Sequence, residues 1–471
     1  MSEGKYKRLI SNTAILAVGT FTSKVLVFLL MPLYTALLST AEFGVADLVS
    51  QTANFIIPLA AVGICDGLFR FALDAKGKEG DEKRVFTSAF LVILIGSIAT
   101  LGVVQILRSV DVLENYVFVV AAYVICSNLH SISAQFVRAL GKTALFAAQG
   151  ILNTALTIVL NILFLIVFDM GAMGYVLSVV VANLFVTIVL FFVAKLYKYI
   201  SIGSIDRNCL AQMLKFSIPY IPTTMMWLIT SVSDRYIVSA YIGVAENGLY
   251  AAAYKLPTVL MLACGVFIEA WQSSLVQDVT DEERVGFFSA VFKNYMGILF
   301  MGATTIIAGA KILTRILLAD SYYDSWRFVP ILVIAMTFST LVAFLGTVYF
   351  LEKKSVISML TAMAGAIINV ILNFVLIPTH GALGAAVATA ISYVAVYAIR
   401  AYDTRFYVKF DLHTPRLVLN TVLIIVQSLI MLVEPSGWIW MTAVIFAAVV
   451  AINAREILAS LMTVLKGFIK R

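Results

Sequence analysis

The sequence predicts an all-α, polytopic membrane protein: about fourteen transmembrane helices, built as two parallel six-helix repeats around a central cavity, plus two extra C-terminal helices. Three observations predict this: composition, the placement of basic residues, and an internal echo. Of 471 residues, 62% are apolar or aromatic and only 13% are charged, against roughly 45–50% and 25% in a soluble domain. Mean hydropathy is +0.99. Long runs such as Phe55 to Cys65, Phe90 to Val104 and Ile151 to Phe168 carry it. A helical span needs ~20 such residues, whereas barrel strands would leave only ~10-residue alternating signals, so the runs specify helices.

Taken in order, the apolar runs are 9–38, 44–73, 85–107, 115–137, 144–168, 173–194, 215–242, 248–274, 286–310, 327–351, 355–377, 382–399, 417–433 and 437–454. The first follows Lys5, Lys7 and Arg8 but runs on to Leu38 without a small-residue cleavage pattern, so it reads as an uncleaved span. The longest connections, about 195–214 and 400–416, are too short for a soluble domain. With an even count both termini share one side. Placing them in the cytoplasm puts 24 basic residues on the inner segments and four, Arg108, Lys311, Arg315 and Arg327, on the outer loops. The positive-inside rule expects that asymmetry, and a miscounted helix would scramble it.

Ser39 to Val45, joining the first two spans, is echoed by Gly243 to Leu249 between spans seven and eight, at an offset of 204. Gly171-Ala172-Met173-Gly174 is echoed by Gly381-Ala382-Leu383-Gly384 at an offset of 210. Both matches fall at equivalent places in a six-plus-six arrangement. The expected lobes are therefore 1–198 and 199–414, with 415–471 holding two additional helices and a tail. Six is even, so the lobes share an orientation, as in transporters that rock around a midplane site.

Cys65, Cys126, Cys209 and Cys264 are far apart and lack metal-ligand spacing, so neither a structural metal nor a disulfide framework is expected. Gly141-Lys142-Thr143 resembles the end of a phosphate loop, but that motif requires glycine where Phe136 stands. His130 and the hydroxyl residues assemble no nucleophile and base. No enzyme and no cofactor are expected.

Several blocks carry a family resemblance: Asn12 through Ser23-Lys24, Pro32-Leu33-Tyr34-Thr35, Ala41-Glu42-Phe43-Gly44, Gly63 with Arg70, and Ser233-Asp234-Arg235. Gly248-Leu249-Tyr250 and Tyr254-Lys255 follow, then Asn369 and Asn373 leading to Ile377-Pro378, Gly381 and Gly384-Ala385-Ala386. In order and spacing, over nearly the whole chain, these resemble polysaccharide-export flippases of the multidrug/oligosaccharidyl-lipid/polysaccharide (MOP) superfamily. The resemblance implies alternating-access transport of undecaprenyl-diphosphate-linked oligosaccharide across the bacterial cytoplasmic membrane, for O-antigen, capsule or a related polymer. It also implies membrane lipid, a polysaccharide polymerase and other export machinery as partners, and no nucleic acid. Lys24 after Ser23 resembles the lipid II flippase, but a dense arginine set in the first two spans is lacking.

Charges inside spans are the candidate site, because a basic residue near mid-bilayer costs about 2.5–3.5 kcal/mol on insertion scales and faces protein or water. Lys24, Arg235 and Lys255 are candidates for a cationic cavity that binds the diphosphate, with Arg70 at the cytoplasmic mouth. Asp234, Asp66 and Glu269 are candidates for coupling or charge balance. Each has a structural alternative: Asp66 and Arg70 have the spacing of an intrahelical ion pair, and Lys255 and Lys293 can snorkel. Gly63 and Gly67 read as close helix packing, and Asn369 and Asn373 as interhelical hydrogen bonding. Three functions compete. A flippase fits the five basic residues against Asp47, Asp66, Asp234 and Glu269 in the spans, a drug/cation antiporter would favour acids, and a glycosyltransferase or polymerase would need a larger outer loop than Lys311 to Trp326.

Overall fold

The computed structural model describes residues 30–274, 281–352 and 354–469, and every regular element among them is helical. The chain forms two compact units, Met1–Tyr236 and Ile237–Arg471.

The first unit contains α1 (Met31–Leu37), α2 (Thr40–Ala60), α3 (Ile64–Ala75), α4 (Glu79–Val103), α5 (Val117–Ala139), α6 (Thr143–Ile162), α7 (Gly171–Val193), α8 (Arg207–Ser217) and most of α9 (Ile221–Tyr241). Ser39 starts α2 with a reciprocal cap: its hydroxyl accepts the Glu42 N–H at 3.2 Å, and the Glu42 carboxylate accepts the Ser39 N–H at 2.9 Å. The expected single span 44–73 is broken into α2 and α3. Pro58 lacks a donor, and Val62 and Gly63 turn with φ of 48° and 63°. The break lets α3 lie against α8. A Cβ on Gly67 would meet the Ser217 hydroxyl at 2.5 Å, so the small-residue face is indeed a packing face.

Aromatic rings fill the end of this unit: Phe86 and Phe136 lie 4.4 Å apart, with Tyr199 at 5.0 Å from Phe136. The connection after α7 satisfies its backbone on α4 side chains. Thr87 donates to the Tyr199 carbonyl at 2.8 Å and accepts from the Ser201 N–H, while Ser88 accepts from the Asp206 N–H at 3.3 Å. This tethering, with Met213 fully buried, holds α8 in the first unit.

The second unit contains α10 (Val244–Ser274), α11 (Asp281–Leu317), α12 (Val329–Leu351), α13 (Ser355–Thr404), α14 (Thr414–Val433) and α15 (Trp438–Ile469). α13 is two helices meeting at Gly381, whose φ of 58° with ψ of −145° belongs to a region essentially reserved for glycine. α12, apolar on all sides, is the most buried of the spanning helices. Trp271, Phe288 and Phe292 pack against its Phe344, and the Trp271 indole donates to Thr347 at 3.2 Å. The C-terminal pair docks on α11 through polar contacts inside an apolar interface. Thr304 donates to Gln427 at 2.7 Å, and Lys311 pairs with Glu434 at 2.5 Å between the rings of Trp326 and Trp438.

The repeat is visible in backbone devices. α2 and α10 begin 204 residues apart, and Gly171 and Gly381, offset by 210, both take positive φ, 52° and 58°. α6 and α13 begin after Lys142 and Lys354, which have nearly the same dihedrals, (−81°, 56°) and (−95°, 53°). Asn369 donates to Thr389 at 3.2 Å and Asn373 to Asn369 at 3.0 Å, both fully buried, as expected of polar residues joining helices.

Among the described residues nine helices are long and apolar enough to cross a membrane, Ser355–Thr404 counting once for its two halves, and Trp438–Ala454 is a shorter apolar helix. With Ile98, Ile106, Phe118 and Trp440 turned outward, this is a multi-pass membrane protein. Helix α9 has the length, but Asp234 and Arg235 lower its hydropathy.

Candidate functional site

A buried charge cluster lies within the first unit, between α2 and α9. The Arg235 Nε donates to the Asp47 carboxylate at 2.8 Å, and a terminal guanidinium nitrogen donates to Asp234 at 3.3 Å and to the Ser231 carbonyl one turn earlier. Asp234 also accepts the Arg235 backbone N–H at 2.9 Å. Exposure is 4% for Arg235, 7% for Asp47 and 0% for Asp234. Adjacent helical residues point about 100° apart, yet the long guanidinium folds back to reach its neighbour. The sequence left that pairing open. Next along the same two helices, the hydroxyls of Thr52 and Tyr236 share a hydrogen bond.

Thr52 and Tyr236 also line an apolar cavity of 620 Å³ that runs between α2, α4 and α9, with Phe55, Leu59, Thr100 and Val232 among its walls. Almost no polar surface faces it. Its chemistry suits a hydrocarbon chain and not a sugar or a diphosphate.

The other expected site residues are placed as follows. Lys24 and the Glu269 side chain lie outside the described residues. Lys255, on α10 in the second unit, is half-buried, and its carbonyl accepts from the Thr258 hydroxyl at 2.5 Å. The spacing argument for an Asp66–Arg70 pair is corrected: Arg70 bonds Asp74 at 2.7 Å, and Asp66 stands exposed in the first turn of α3. Both acids are four residues from Arg70. Asp74 sits in the unfavourable field of the last turn and gains more from a cation than an acid at the helix start does. That pair is more than half exposed, so it contributes little to stability.

Asp47 is the member of the site that sequence reasoning did not assign. An acid in one span and a base in another were its signal, but at a sequence separation of 188 nothing local joins the two. Arg400 is a buried arginine of another kind. It donates to Thr361 at 3.0 Å, to the Val342 carbonyl at 3.0 Å and to Ser358 at 3.2 Å, which ties α12 to both halves of α13. Its role is structural. His130 shares a 2.7 Å hydrogen bond with Gln149.

Solved structures share this all-helical membrane fold. The lipid II flippase MurJ in an inward closed conformation matches with TM-score 0.71 at 14% identity, over 95% of this chain and 100% of that one. An inward-facing multidrug resistance MATE family transporter matches with TM-score 0.68 at 12% identity, over 83% and 94%. A MOP-superfamily transporter from Pyrococcus furiosus matches with TM-score 0.60 at 12% identity, over 84% and 95%. An uncharacterized membrane protein of Methanocaldococcus jannaschii is 23% identical over 84% of this chain and 97% of its own length. The chain belongs to the polysaccharide biosynthesis protein family, whose model matches residues 9–271.

Proposed function

We propose that this MOP-type flippase carries an undecaprenyl-diphosphate-linked oligosaccharide from the cytoplasmic to the outer leaflet of a bacterial cytoplasmic membrane, by alternating access, to supply surface polysaccharide synthesis. The observation that carries the reading is the family match over residues 9–271, which includes Arg235. Both termini are cytoplasmic in this reading, and a polymerase acts on the product.

Arg235 then serves the cargo by ion-pair exchange. As found, its guanidinium is committed to Asp47 and Asp234. A diphosphate offers the same planar fork more acceptors and more charge than a carboxylate does, so it can replace Asp47 while Asp234 keeps the arginine in place. Lys24 joins as a further cation, and Asp234 limits the combined charge. The apolar cavity beside Tyr236 fits part of the prenyl chain.

A second reading has specific support. Two carboxylates face one arginine in the cluster, a balance that also suits cation-coupled antiport of a cationic drug. Translocation of lipid-linked oligosaccharide by the reconstituted full chain tests the first reading. Transport by wild type, with loss in Lys24→Ala and Arg235→Ala, supports it. Drug efflux without oligosaccharide movement would replace it with the second.

A further inference from the structure

Away from the buried cluster, three connections meet at one end of the first unit: α3 to α4, α5 to α6, and the segment after α7. Lys142 fixes the junction by donating to the Ala194 carbonyl at 3.3 Å. Arg138 and Lys76 also stand there.

Arg138, in the last turn of α5, is half-buried between two rings, with its guanidinium carbon 4.7 Å from the Phe69 centroid on α3 and 5.5 Å from the Phe146 centroid on α6. Ring faces hold and orient a guanidinium without using its N–H donors. Among the described residues no hydrogen bond or ion pair uses those donors. Lys76, at the end of α3, lays its ammonium over Gly141, where a Cβ would come within 2.2 Å of Nζ. Gly141 has φ of 78°, so the backbone too favours glycine there. Lys76 likewise has no acidic partner among the described residues.

The nearby acids have other engagements. Asp74 pairs with Arg70, Glu79 with Lys83 at 2.9 Å and Asp81 with Arg84 at 3.7 Å, while Glu82 accepts the Gly77 N–H at 2.8 Å. Asp66 stands exposed on α3 and pairs with neither cation. Holding an arginine fork rigid, with a lysine set on the adjoining connection and carboxylates drawn off to other partners, leaves positive charge pre-organised. Arg400 in the second unit shows the contrast, since its donors are spent on carbonyls and hydroxyls.

We propose that Arg138 and Lys76 form a phosphate-binding site for membrane lipid, clamped by Phe69 and Phe146. The guanidinium takes two phosphate oxygens through its fork and the ammonium neutralises a further oxygen as a point charge. The phosphate comes either from the diphosphate of a polyprenyl-linked cargo, an assignment that rests on the proposed function, or from an ordinary anionic phospholipid.

The test uses the full chain in phosphatidylcholine nanodiscs and measures binding of a polyprenyl diphosphate and of phosphatidylglycerol by native mass spectrometry. Arg138→Gln and Lys76→Gln should each weaken polyprenyl diphosphate binding about tenfold, the scale of one lost charge-assisted hydrogen bond. Arg138→Lys should not restore it, because the fork is lost. Gly141→Ala, which displaces Nζ of Lys76 but keeps its charge, should weaken binding less than Lys76→Gln. Loss confined to the diphosphate assigns the site to cargo, and equal loss for phosphatidylglycerol supports the site with bulk lipid as its source. Unchanged binding of both lipids in Arg138→Gln and Lys76→Gln overturns the proposal. If Arg138→Gln does not fold, Phe146→Leu, which keeps both charges but loosens the clamp, carries the arginine arm and should weaken binding; no weakening overturns the clamp. Failure of wild type to move oligosaccharide would defeat the proposed function and leave these binding results standing.

Discussion

Replacing Asp47 by Asn removes one charge from the buried cluster while keeping its volume. Arg235 is 4% exposed and its Nε lies 2.8 Å from Asp47, so the cation cannot turn to water once that partner is neutral. Breaking a buried pair from one side typically costs 3–5 kcal/mol, because a charge is left uncompensated. Asp234 remains at 3.3 Å as a second carboxylate, which places the expected loss near the low end, about 3 kcal/mol. Thermal unfolding in detergent can be followed with a thiol-reactive dye, since Cys126 in the first unit and Cys264 in the second are both buried. Asp47→Asn should lower the unfolding midpoint reported by Cys126. Arg235→Gln should lower it too, and the double variant should lose less than the two singles combined, the signature of direct coupling. Replacing both by apolar residues of similar size, Asp47→Leu with Arg235→Met, should recover stability. That recovered protein should still fail to transport if Arg235 handles the cargo. An unchanged midpoint in Asp47→Asn, or strict additivity in the cycle, would refute the claim that the pair holds α2 to α9.

Three further expectations follow from other parts of the fold. Gln427→Ala should destabilise the docking of α14 on α11 by about 1–3 kcal/mol, because it leaves the buried Thr304 without its partner. Glu434→Gln should cost less, since Glu434 is 39% exposed, and differential scanning fluorimetry of the two variants should show that order. Gly381→Ala forces a side chain into φ 58°, ψ −145° and should cost about 1–3 kcal/mol, seen as a lowered midpoint and reduced membrane yield. The Cys209 thiol, on α8 outside the spans, has its pKa raised by burial and then by the Asp206 carboxylate. Its thiolate is therefore scarcer at neutral pH than that of a free cysteine, and maleimide labelling should keep accelerating as pH rises through and above the ordinary thiol range. Asp206→Asn, which can still cap α8, should speed labelling modestly at neutral pH. A membrane-impermeant maleimide should reach Cys209 only from the cytoplasmic side, and labelling from outside would reverse the topology.

Much of this protein is written in local sequence. Apolar runs and turns define the spanning helices because the bilayer demands internal satisfaction of every backbone group, which makes span length and hydropathy one-dimensional properties. The duplication was legible in two short echoes because they fall where helix starts and glycine turns must recur, at Thr40 and Val244 and at Gly171 and Gly381. The packing role of Gly63 and Gly67 and the hydrogen bonding of Asn369 and Asn373 also followed from residue type and spacing. Tertiary structure decided the rest. Spacing offered Arg70 two acids at equal distance along one helix, and the environment of the helix ends chose Asp74. Hydropathy read one span from 44 to 73, but the backbone breaks at Val62 and Gly63 so that α3 can lie on α8, a contact more than 140 residues away in the chain. Arg235 was visible as a charge in a span, while its commitment to Asp47, 188 residues distant, was not. A charge buried in a membrane protein is detectable from its own neighbours in sequence, but its partner is chosen by which helices pack together, and that is a property of the folded chain alone.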